Sequence, residues 1–70
     1  MRNEMNNKSW VVSITTADGS RLRGIQKAMY QSKAIEFFAK NNGVRCVAGT
    51  CESLENFNHF LAQGLRKPLA

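Results

Sequence analysis

Two stretches of the chain alternate apolar and polar side chains with a period of two, and two others space their apolar residues three and four apart. The first alternation runs through Trp10, Val12 and Ile14, with Ser13 and Thr15 on the opposite side, and resumes from Arg21 in "RLRGI". A period of two marks strands, whose successive side chains point to opposite faces. Between these runs lies Asp18-Gly19, a strong reversal signal. A two-residue turn there would pair Ile14 with Arg23 and Thr15 with Leu22, mixing core and charge on both faces. A three-residue loop, Ala17-Asp18-Gly19, with Gly19 left-handed in a G1 bulge, moves the register by one. Ile14 then faces Leu22, Val12 faces Gly24, and Trp10 lies beside Gln26. The other face carries Ser13, Thr15, Arg21 and Arg23, with Val11 opposite Ile25. Because a one-residue slip exchanges the faces, the apolar pattern selects the longer loop.

The helical spacing begins after "GIQKAMYQ", which extends the second strand before the chain turns. Ser32 is the predicted N-cap, and Ala34, Ile35, Phe38 and Ala39 form an inward stripe on a helix from Lys33 to Asn41. Asn42-Gly43 stops it. Phe37 sits partly off the stripe; a core position is the plainer reading, with covering a sheet edge or lying exposed at an interface as the alternatives. "VRCVAGTC", residues 44 to 51, predicts a third strand with Cys46 inward beside Val44 and Ala48, Cys51 on the other side, and Gly49 at a bulge or close backbone approach. Ser53 caps a second helix from Leu54 to about Gln63, with Leu54, Phe57, Phe60 and Leu61 on its apolar side and Gly64 beyond its end. The expected fold is α+β in the order β-β-α-β-α. It has a small, mostly antiparallel three-stranded sheet with both helices packed on one face.

Organisation adds little. Residues 1 to 8 are polar and expected to be flexible, 9 to 64 read as a single α+β domain, and 65 to 70 form a short basic tail after Gly64. A chain of 70 residues buries only about 60% of the surface its unfolded form exposes, so a homodimer is an option. No apolar stretch approaches the ~20 residues that span a bilayer, and "MRNEMNNK" lacks a signal-peptide core, so no membrane partner and a cytoplasmic location are expected.

Charge changes the picture more. Ten basic against five acidic residues give a net +5, which favours acidic or phosphate-bearing partners. Arg21 and Arg23 lie ~6.8 Å apart on one strand face and form a basic platform flanked by hydroxyls. Its plain reading is a solvated face that guards an edge strand; its functional reading is a grip on carboxylates or phosphates. Tyr30, Phe37, Arg66 and Lys67 complete the candidate partner-binding set.

Candidate chemistry is sparse. The glycines fall at turns, bulges and ends, with no phosphate-loop pattern, and the one histidine, His59, sits mid-helix with no nucleophile context. Cys46, Cys51 and His59 supply three ligands at a spacing unlike a zinc knuckle, and reduced structural thiols are the default. No enzyme, cofactor or metal is expected. The reading that remains is a non-catalytic module docking on a larger protein or nucleoprotein complex with an acidic surface. Direct DNA or RNA binding through the basic hairpin face is the alternative. In size, element order and lack of active-site residues, the chain resembles in kind the small phage- or plasmid-encoded inhibitors and modulators of host machines, anti-CRISPR proteins and polymerase inhibitors among them. That resemblance carries no residue across.

Overall fold

The computed structural model describes residues 7–69. Strand β1 (Lys8–Thr16) and strand β2 (Arg21–Ala28) form the hairpin, helix α1 (Gln31–Asn41) crosses over, and strand β3 (Cys46–Ser53) leads directly into helix α2 (Leu54–Ala62). The sheet is antiparallel throughout in the order β2-β1-β3, so β2 and β3 run parallel on either side of β1 with α1 as the crossover. The α+β class and the order β-β-α-β-α are as the sequence predicts. Apart from Asn7 and Lys8, which opens β1, the polar segment 1–8 lies outside the described residues.

The hairpin register is the predicted one, with Ile14 opposite Leu22, Val12 opposite Gly24 and Ser13 opposite Arg23. Gly19 has φ +91°, and Thr16 N–H donates to Ser20 O at 2.8 Å while Gly19 N–H donates to Thr16 O at 3.0 Å. These are the two bonds of a turn closed by a G1 bulge. The Asp18 carboxylate accepts from the Thr16 hydroxyl and from Ser20 N–H.

Trp10, Val12 and Ile14 point to one face, where they form the core with Ala28, Ala34, Phe38 and Ala39. Gly24 lets α1 settle close to the sheet: a Cβ there would stand 2.6 Å from a Phe38 ring carbon. Trp10 is buried with its Nε1–H donating to Ala28 O at 2.9 Å, which satisfies its polar atom. Helix α1 starts two residues earlier than Ser32 predicts, with Tyr30 at the N-cap and no side-chain cap. Gln31, in its first turn, instead donates to Cys51 O at 3.2 Å. Both helices end as their glycines foretell. Gly43 and Gly64 have φ +65° and +77°, and the paired bonds Val44 N–H to Ala39 O and Leu65 N–H to Phe60 O close Schellman motifs.

Placing both helices on one face does not hold. Phe57 is buried yet absent from the core beneath α1; it shares a hollow with Val11, Ser13 and Arg23, all on the sheet's other face. Helix α1 therefore covers one face and α2 the opposite one. The reason lies in β1: Val11 and Val12 are adjacent and both buried, so each face presents a valine needing a cover. A second correction concerns β3. Thr15 pairs with Ala48 but Thr16 pairs with Cys46, so a bulge around Val47 reverses the alternation. Cys46 and Cys51 consequently both pack at the edge of the α1 core, and Ala48 faces the other side. Along a strand rising ~3.3 Å per residue their Cα atoms stand roughly 16 Å apart, beyond the ~7 Å limit for a disulfide.

Candidate functional site

The face under α2 is only partly covered. At its Val11 end, Phe57 packs down and burial is complete. Towards the hairpin tip the alternation of β1 turns polar, and Ser13 and Thr15 replace valine. Arg21 and Arg23 stand opposite them on β2, and Thr50 and Ala48 on β3. Two adjoining open hollows of about 400 and 390 Å³ result, sharing Ser13, Arg23 and Thr50. The hollow nearer the tip contains both arginines, three hydroxyls and no carboxylate.

Residues 65–69 turn back along this face. The Arg66 guanidinium meets Glu52 in a bidentate pair, Nε to Oε2 at 2.7 Å and Nη2 to Oε1 at 3.0 Å, and lies 4.6 Å from the Phe60 ring centre. That hydrogen-bonded guanidinium holds the Glu52 carboxyl below its ordinary value, and Glu52 in turn raises Arg66. Arg23 donates to the carbonyls of Lys67 at 3.1 Å and Pro68 at 3.4 Å and sits 5.8 Å from the centre of the Phe57 ring. Its hydrogen bonds thus go to neutral acceptors only.

Of the six predicted contact residues, four meet here. Arg21 and Arg23 line the hollow nearer the tip, Arg66 lines the other, and Lys67 contributes its carbonyl oxygen. Tyr30 and Phe37 belong to the α1 side of the sheet. Tyr30 is 57% exposed at the start of α1, and Phe37 is 38% exposed under the Lys33 ammonium, 6.0 Å from its ring centre. The core reading of Phe37 is thereby corrected: it lies one position off the stripe of Ala34, Phe38 and Ala39. Trp10 has its ring in the core, Phe57 is buried and Phe60 is half-buried under Arg66, so among the described residues no exposed Trp, Tyr or Phe ring lines the basic hollow. Thr50 and Glu52 are the site residues the sequence reading missed, because their place depends on the β3 bulge.

Elsewhere, burial pushes the Cys51 thiol up, which keeps it protonated and weakly reactive. Among the described residues no cluster of three or more histidine, cysteine or acidic side chains could hold a metal ion. Among the described residues no helix is long and apolar enough to cross a membrane. No protein family, no curated protein and no solved structure matches the chain significantly.

Proposed function

We propose that this protein is a non-catalytic binding module that docks on the acidic surface of a larger protein or complex through the uncovered part of the α2 face. It would act as an inhibitor or modulator of that complex. The observation that carries this reading is the hollow in which Arg21 and Arg23 face Ser13, Thr15 and Thr50 with no carboxylate among them. Paired guanidinium forks beside hydroxyls match a carboxylate in both charge and geometry. A protein surface is favoured over a nucleic acid strand because, among the described residues, no exposed Trp, Tyr or Phe ring lines this hollow to stack on a base.

The test is capture from a bacterial lysate by the immobilised protein, with and without nuclease, at about 150 mM salt where distant surface charges are screened. The reading expects a stoichiometric protein that survives nuclease and is lost with Arg21→Glu. Material that vanishes with nuclease would transfer the function to nucleic acid, and capture indifferent to Arg21→Glu would refute the site.

A further inference from the structure

Strands β2 and β3 are the two edges of the sheet, and the hairpin fixes which backbone groups of β2 are already used. Thr16 N–H donates across to Ser20 O, and the even-numbered residues of β1 stand opposite Leu22, Gly24, Gln26 and Ala28. Hydrogen-bonded and non-hydrogen-bonded pairs alternate in an antiparallel ladder, so Arg21, Arg23, Ile25 and Lys27 turn their N–H and C=O groups away from β1. Gln26 bears this out, since its Nε2–H donates to the outward Lys27 carbonyl at 3.1 Å. Nearer the hairpin, among the described residues, neither a side chain nor a loop bonds the backbone of Arg21, Arg23 or Ile25. The side chains of these outward-bonding residues share the α2 face, with Ile25 half exposed between the charges.

We infer that β2 accepts one more strand, an extended acidic segment of a protein partner carrying Asp or Glu at every second position. The inference rests on the docking function proposed above and gives its mode. A strand laid along β2 bonds to the outward backbone groups and places alternate side chains ~6.8 Å apart on the face of Arg21, Arg23 and Lys27. Carboxylates at those positions complement the row of cations. Arg23 then exchanges two carbonyl partners for a stronger charged acceptor.

Charge selects this occupant. A second copy pairing β2 with β2 would oppose two rows of cations, and like charges directly opposite are destabilising. The β3 edge does not compete: its ladder is interrupted at Val47, its Cys51 carbonyl is taken by Gln31, and its one charged side chain, Glu52, is already paired with Arg66.

The experiment measures fluorescence anisotropy of the whole protein with labelled peptides of about eight residues, the length of a long-average strand. One peptide alternates Glu with Val or Thr. A second has the same composition with its glutamates in one block, and a third repeats the first with N-methyl groups along one edge. The inference expects the alternating peptide to bind at least about tenfold more tightly than either control. It also expects Ile25→Pro, which removes one outward donor and leaves the β1 ladder intact, to weaken binding similarly; the N-methyl peptide makes the same test on unaltered protein. Equal binding of all three peptides overturns strand addition while leaving acidic docking standing. Absence of binding by the alternating peptide at about 1 mM, an affinity worth only ~4 kcal/mol, overturns strand addition as well. The docking function itself fails separately, if Arg21→Glu leaves capture unchanged.

Discussion

The two faces of the sheet are built from alternate residues of the same strands, and they differ sharply in how they are finished. Under α1, Val12 is fully buried, the neighbouring positions are apolar or glycine, and Phe38 lies against the backbone at Gly24. Under α2, Val11 and Phe57 are buried, but two residues along β1 the face becomes Ser13 and Thr15, and the helix does not reach it. The lesson concerns allocation. A chain with few large apolar side chains seals one face, anchors a second helix with one ring, and leaves the remaining face to charge and hydroxyls.

The largest expected effect lies on the sealed side. Phe38→Ala should cost about 3–5 kcal/mol, the range for an emptied phenylalanine site. That rivals the few kcal/mol a core of this size supplies, so circular dichroism should show an unfolded chain. Phe57→Ala should fall at the low end of that range, since the space it leaves adjoins a hollow already open to solvent. Equal unfolding of both variants would break the comparison and make the α2 face a second core.

Gly24→Ala comes next. The added methyl would stand 2.6 Å and 3.0 Å from Phe38 ring carbons, and overpacking of this kind costs about 1–3 kcal/mol. Thermal melts should fall by ~4–8 °C for each kcal/mol lost. An unchanged midpoint would show that α1 can lift from the sheet at little cost.

The pH response separates the hairpin tip from the tail. Asp18 is held below its ordinary value by the Thr16 hydroxyl and then by Ser20, and Glu52 by the Arg66 guanidinium. A carboxyl depressed in the folded state stabilises fully above its unfolded value, and the gain is lost as pH falls through the folded value. Melting temperature should therefore be flat from neutrality to about pH 5 and decline below that, as unfolded carboxylates begin to protonate. Glu52→Gln should shrink the decline, and Asp18→Asn should shrink it independently. A decline untouched by both would place the acid-sensitive groups elsewhere. Smallest of all is Arg21→Glu, expected to change stability by no more than ~0.5 kcal/mol, as for surface positions outside any network. A clear loss would mean that the side chain is structural.

What was legible in the sequence was what several signals fixed at once. Asp18-Gly19 together with the alternation of Trp10, Val12 and Ile14 admits one hairpin register, and Gly43 and Gly64 stand where helices must end left-handed. The apolar stripe of α2 reads identically whichever face receives it. Ser53 passes straight into Leu54, so no linker hints at the direction taken. Nothing in "CVAGTC" demands a bulge, and unbroken alternation puts Cys51 and Ala48 on the sides opposite to those they take. Ser32 is a good cap by type, but Gln31 gains a bond to β3 that only the folded sheet offers. The clasp of the tail joins Arg66 to Glu52 and Arg23 to Lys67 and Pro68, contacts between positions far apart in sequence that no local pattern encodes.

That clasp has a practical side. Polypeptide fused after residue 70 would leave the domain two residues beyond Pro68, whose carbonyl Arg23 holds. A purification tag there would emerge beside the basic hollow, crowding or mimicking a ligand according to its own charge. A tag placed ahead of β1 joins the sheet at the end where Lys8 pairs with Ala28, opposite to the end where Thr15 pairs with Arg21. The same protein carrying its label at one terminus or the other should then give different binding isotherms.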